Sequence, residues 1–274
     1  MPQRMCAPLL LALALAAGPL VLAGCRGSQA GGLTVAGSTS VQPVAELLAD
    51  RYMAEHPGVT TNVQGGGSTA GVRAAQSGAA AIGMVSRELK PTETGLQTFL
   101  LARDAIAIIV HPANPIRALT KEQVRGIFSG QTRRWDELGG QPGTINFITR
   151  EEGSGTRGAF EDMVMGKETE IAPDGIVQDS TGAVRAIVAG DRNAIGYISL
   201  GMVMPEVAAV TLDGVKPTHG AVIHGSYALT RPFLLLTKGP PTPAAQAYLD
   251  YVRTPPCQAI VEEEGYVPAG AERP

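Results

Sequence analysis

Cysteine is scarce in this chain: three residues in 274, at positions 6, 25 and 257. Cys6 lies inside an apolar leader and Cys25 closes it. Cys257 is therefore alone in the body of the chain, which excludes an internal structural disulfide there. No histidine lies near it in sequence to activate its thiol, so it reads as a small buried apolar residue. The four histidines, His56, His111, His219 and His224, are scattered without metal spacing, and neither a metal nor a cofactor is expected. Charge is also sparse. Only 17% of residues are charged and the formal net charge is −3, which leaves no basic face for nucleic acid and no acidic tail. Two phosphate and acyl-transfer signatures are missing: the G-x-x-x-x-G-K-[ST] loop and the G-x-S-x-G elbow. No internal repeat is present.

The one long apolar run, residues 9–22, follows Arg4 and is too short and too interrupted by Gly and Pro to span a membrane comfortably. It ends in Leu22-Ala23-Gly24-Cys25, which resembles a bacterial lipoprotein signal. That resemblance implies cleavage before Cys25 and lipid on its sulfur. The alternative is a plain secretory signal cut nearby, with Cys25 an ordinary thiol. On either reading residues 1–24 are a targeting segment. The mature protein then works in the periplasm or at the cell surface, and residues 25–32 are a polar tether.

Glycine (34) and proline (20) are plentiful, as suits many short turns. Between those turns, strands alternate with helices, which predicts the α/β class. Strands are expected at 33–36, 59–64, 80–85, 105–110, 145–149, 196–199 and 227–236, the last broken at Arg231-Pro232 as a return crossing. Helices are expected at 42–56, 70–77, 120–128, 156–165, 182–189 and 243–252. The first carries Val44, Leu47, Leu48 and Tyr52 on one face. Thr120 is placed to cap the helix at 120–128. The Pro/Asn turn at 111–115 suits a hinge.

Three segments share one design, a strand followed by a turn of Gly, Ser and Thr and then a helix. The turns are Gly37-Ser38-Thr39-Ser40, Gly65-Gly66-Gly67-Ser68-Thr69 and Gly153-Ser154-Gly155-Thr156. Each sets hydroxyls and free backbone N–H groups at a helix N-terminus, which favours an anion. Arg150 precedes the third turn and can add a charge-assisted bidentate pair. Three such turns, two early and one after a long gap, point to an oxyanion held between two lobes.

Those turns resemble a known family when taken with Ile127-Phe128-Ser129-Gly130, Trp135 and Ala194-Ile195-Gly196-Tyr197. The chain from about residue 33 onward is similar to the phosphate-binding proteins of bacterial high-affinity phosphate ABC transporters. The resemblance implies a type II periplasmic binding protein fold: two α/β lobes, two crossing hinge strands and a ligand cleft between them. It implies lobe one at 33–110 plus 228–274 and lobe two at 111–227. It further implies a monomer that binds inorganic phosphate, meets an ABC transporter permease, and touches the membrane only through its lipid. Phosphate would be held by Thr39, Ser40 and Ser68 from lobe one and by Arg150, Ser154, Gly155 and Thr156 from lobe two. One position departs from the better-known members. Where they carry an Asp that accepts the proton of hydrogen phosphate, this chain reads Ser86-Arg87. Ser86 then becomes the candidate acceptor, with Asp179 near a helix start or Glu151 as the alternative substitutes for that Asp, and Arg87 adds a second cation at the site.

Other readings sit beside these. Each glycine-rich turn, alone, is also an ordinary helix cap or loop. Ser180 and Thr181 read as a cap only, Trp135 as packing, and Arg87 also as a salt-bridged surface residue. A receptor for another tetrahedral oxyanion such as sulfate, a phosphate-sensing surface lipoprotein, and a secreted phosphatase using Ser154 are the competing functions.

Overall fold

The computed structural model describes residues 32–271. The leader, Cys25 and nearly all of the tether lie outside the described residues. No described helix is long and apolar enough to cross a membrane.

The first lobe opens with β1 (Leu33–Gly37), α1 (Gln42–Glu55), β2 (Thr61–Gly65), α2 (Ser68–Ser77) and β3 (Ile82–Val85). Both β2 and β3 pair with β1 in parallel, as strand–helix–strand units require. Pro43 enters α1 in its first turn, where the missing N–H is harmless. Val44, Leu48 and Tyr52, spaced by four, are buried, whereas Leu47 falls off that face and is exposed. The apolar stripe is therefore narrower than the sequence suggests.

Next comes β4 (Leu96–Val110), fifteen residues long, of which the sequence predicts only the apolar end. Its first half is partly exposed and lacks the continuous apolar run that marks a buried strand. The second lobe comes after it: β5 (Ala118–Leu119), α3 (Lys121–Phe128), β6 (Asn146–Arg150), α4 (Gly155–Phe160), β7 (Ile176–Gln178), α5 (Thr181–Gly190), β8 (Ala194–Ser199), β9 (Ala208–Ala209), β10 (Thr211–Leu212) and α6 (His219–Ile223). Thr120 and Gln123 form a reciprocal capping box on α3. After Phe160 the expected single helix widens into a π turn over Glu161–Met165. The chain returns through β11 (Thr230–Lys238) and ends with α7 (Pro243–Val252), α8 (Pro255–Glu263) and β12 (Val267–Pro268).

One sheet path runs β2-β1-β3-β11-β4-β8-β6-β7, through both lobes. The crossing is made by β4 and β11, which pair antiparallel from Thr230↔Ala105 to Lys238↔Leu96. Beyond Ala105, β4 leaves β11 and pairs with β8, from Ile106↔Ser199 to Val110↔Ile195. Side chains alternate across this stretch. Ile106, Ile108 and Val110 enter a core with Phe128, Trp135, Phe147 and Phe160. Ala107 and Ile109 enter another with Val184 and Val188 on α5. Residues 106–110 thus pack with the second lobe. The change of partner along β4 falls between Ala105 and Ile106. The first lobe has its own core, which includes Val35, Leu48, Met84, Phe233, Tyr248 and Cys257. Cys257 is a free, buried thiol, as expected. Trp135 packs at its turn and donates Nε1–H to the Asn193 carbonyl at 2.9 Å.

Candidate functional site

All three glycine-rich turns come together where the lobes meet. In the first, the Ser40 N–H donates to Ser38 Oγ at 3.2 Å, and Ser38 Oγ donates to Ser86 Oγ at 2.8 Å. In the second, Gly67 takes φ 85° before α2. That left-handed backbone is open to glycine at little cost. Ser68 Oγ then accepts the Ser86 N–H at 3.1 Å. Ser38, Ser40, Ser68 and Ser86 are all buried. The first lobe therefore presents a connected set of hydroxyls at the start of α1 and α2, oriented by backbone N–H groups.

The second lobe closes directly on that set. Thr69 N–H donates to the Gly153 carbonyl at 3.0 Å. Ser154 caps α4 by accepting the Arg157 N–H at 3.2 Å. Thr156 Oγ1 lies 2.8 Å from Ser40 Oγ. Gly155 faces Ser68 and Ser86 so closely that any Cβ there would overlap both hydroxyls. Only glycine allows this approach.

Arg150 ends β6 and is 1% exposed. Its Nε and Nη2 grip the two carboxylate oxygens of Glu151, both at 2.9 Å. The carbonyls of Gln178 and Asp179 accept from it at 3.2 Å each. Its remaining reach goes to hydroxyls from both lobes: Nη1 to Thr181 Oγ1 at 3.1 Å and Nη2 to Thr39 Oγ1 at 3.3 Å. Tyr197 fixes the strand end that carries it. The Tyr197 hydroxyl lies 2.7 Å from Thr149 Oγ1 and accepts the Arg150 N–H at 3.2 Å. Burial pushes the Tyr197 phenol up to about 12, so it stays protonated at physiological pH.

Two residues that sequence reasoning does not assign to the site belong to this cluster. One is Ser38, which links Ser40 to Ser86. The other is Thr181, which does more than cap a helix. Ser180 supplies that cap by accepting the Ala183 N–H at 3.2 Å. Thr181 Oγ1 instead reaches Ser40 Oγ at 2.9 Å and Arg150. The signal is a related strand–turn–helix junction without the leading glycine, Gln178-Asp179-Ser180-Thr181, running from the end of β7 to the start of α5. It is faint because β7 has three residues, two of them exposed and apolar.

Arg87 stands apart from the hydroxyl cluster. It is buried, but its two terminal nitrogens meet the Glu93 carboxylate at 2.8 and 2.7 Å. Nη1 also donates to the Glu88 carbonyl at 2.9 Å, and Nη2 lies 3.4 Å from Thr69 Oγ1. Burial pushes the Glu93 carboxyl up, but Arg87 and the Lys90 N–H together hold it below the usual carboxylate range. The arrangement makes Arg87 a brace for the end of β3 and α2 rather than a second free cation beside the serines.

Donors dominate the cluster: hydroxyls, the N-termini of α1, α2, α4 and α5, and one guanidinium. Such a set suits an oxyanion, whose many acceptor sites need many donors. Residues 26–255 match a family model described as a PBP superfamily domain. The chain is 32% identical over 246 residues to the phosphate-binding protein PstS of Bacillus subtilis (strain 168), spanning 87% of this chain and 81% of that protein. A phosphate-bound crystal structure from Clostridium perfringens superposes with TM-score 0.84 at 38% identity, over 87% of this chain and 99% of the other. An ABC-type phosphate transport receptor from Vibrio cholerae gives TM-score 0.72 at 36% identity, over 86% and 99%. The two-lobed fold and these relatives agree: the chain belongs to the PBP superfamily and, within it, to the PstS phosphate-binding proteins.

Proposed function

We propose that this protein captures inorganic phosphate between its lobes and delivers it to the permease of an ABC transporter. One observation carries the reading: the N-termini of four helices, two from each lobe, converge on one buried group of hydroxyls beside Arg150. The proposed ligand set is Thr39, Ser40, Ser68, Ser86, Arg150, Ser154, Gly155 and Thr156, joined by Ser38 and Thr181. Arg87 serves that set as a support for Thr69. Because Glu151 offsets the charge of Arg150, the anion is held largely by neutral donors and helix ends. A serine hydroxyl both donates and accepts, so Ser86 can take the proton of hydrogen phosphate on its oxygen.

The same reading puts the mature protein outside the cytoplasm, tethered through lipid on Cys25, and working as a monomer. It makes the chain a receptor rather than a hydrolase. Ser154 is engaged as a helix cap, and turnover of a chromogenic phosphate ester that vanished in Ser154→Ala would reverse that assignment. The direct test is calorimetric titration of phosphate into the mature, unlipidated protein stripped of bound anion. Tight one-to-one binding is expected, and no binding would refute the reading.

A further inference from the structure

A single guanidinium at the crossing of the lobes touches both the hinge and the site. Arg231 and Asp104 face each other across β11 and β4, one position before β4 departs for the second lobe. Arg231 Nε and Nη2 both donate to Asp104 Oδ2, at 3.0 and 2.9 Å. The pair is almost fully buried, with side chains 2% and 0% exposed. The third nitrogen, Nη1, donates to the backbone carbonyl of Ser86 at 3.2 Å. On the other side, Asp104 Oδ1 accepts the N–H of Leu200, which follows β8 in the second lobe, at 3.2 Å.

A buried ion pair is weak evidence for stability, because removing both charges from water costs about as much as their attraction returns. Its retention at this point suits a role in placement. We infer that Arg231 is a positioning residue for Ser86, and that Asp104 ties that position to the second lobe. The chain of contacts runs Leu200 N–H, Asp104, Arg231, Ser86 carbonyl, Ser86 Oγ, with Ser38 and Ser68 next. The Ser86 hydroxyl then meets the anion at the right place only while the pivot is set. Lysine cannot replace arginine here, since one ammonium lacks the fork that reaches Asp104 and Ser86 together. The inference rests on the phosphate-receptor reading above.

A double-mutant cycle in the mature full chain tests it, with inorganic phosphate as the titrant and melting temperature recorded in parallel. Arg231→Lys and Ser86→Ala should each weaken phosphate binding about tenfold, the scale of one hydrogen bond to a charged group. Arg231→Lys,Ser86→Ala should lose no more than about the larger single loss, because the arginine acts through the serine. A purely structural arginine would lower the melting temperature and leave the two binding losses multiplicative, at about a hundredfold together, which overturns the inference. So does Arg231→Lys binding like wild type. Asp104→Asn carries the same cycle should Arg231→Lys fail to fold. Wild-type protein that ignored phosphate would defeat the functional reading and this inference with it, whereas multiplicative losses on intact binding defeat the inference alone.

Discussion

Gly155→Ala separates binding from folding. The added Cβ would sit 2.6 Å from Ser86 Oγ, against an ordinary contact of 3.4 Å or more, and closer still to Ser68 Oγ. Neither serine can step aside freely. Both are wholly buried, and Ser68 Oγ already accepts the Ser86 N–H. Relief therefore requires the lobes to part by roughly 1 Å at this point, or the hydroxyls to leave their partners. Overpacking of this size costs about 1–3 kcal/mol. At 1.4 kcal/mol per decade this weakens phosphate binding by roughly 5- to 150-fold. The strain arises where the two lobes touch, not within either core. Calorimetry should thus show the loss in affinity while each lobe keeps its fold by circular dichroism. Affinity within twofold of wild type would show that phosphate binding does not depend on this close approach of Gly155 to Ser68 and Ser86.

Further expectations can be checked with the same protein. Arg150→Ala leaves Glu151 without its bidentate partner and removes the donor shared by Thr39 and Thr181. A loss of about 2–5 kcal/mol in phosphate affinity should result, and unchanged affinity would remove Arg150 from the site. Thr181→Val, which keeps the shape and deletes the hydroxyl, should cost about tenfold in affinity with the Ser180 cap intact; wild-type affinity would return Thr181 to the role of a bystander. The lowered Glu93 carboxyl fixes a sign for acid stability. Its contribution is complete above the unfolded value of about 4.3 and is lost as pH falls through the lower folded value. Glu93→Gln should therefore narrow the stability gap to wild type as pH drops below about 4, and a gap independent of pH would contradict the Arg87–Glu93 assignment.

Much of this molecule is legible in the chain itself, for identifiable reasons. The glycine-rich turns announce helix N-termini because glycine permits the close approaches and the left-handed φ at Gly67, and Ser154 caps α4, although α1 and α2 begin without a side-chain cap. The run 105–110 reads as a strand because both its faces are buried. Residues 96–104 stay hidden because one face is partly exposed and no alternation emerges. α8 starts at two prolines, Pro255-Pro256, and carries few apolar residues, so its periodicity is faint. Arg87 cannot be placed from sequence, since its partner Glu93 is chosen by a bend after β3. Thr181 fails for a similar reason, because its strand is three residues long and borrowed from β6 by pairing alone. The Asp104–Arg231 pair is a register relation between two strands more than a hundred residues apart, and no local pattern carries it.

The central claim is that the converging helix ends hold phosphate, and a calorimetric titration of the anion-free mature protein with phosphate, repeated in excess sulfate, tests it most directly. Tight one-to-one phosphate binding that survives the sulfate is expected. No phosphate binding even without sulfate would reduce the four turns to helix caps and contradict that claim, whereas binding lost only in excess sulfate would make the site a general oxyanion receptor.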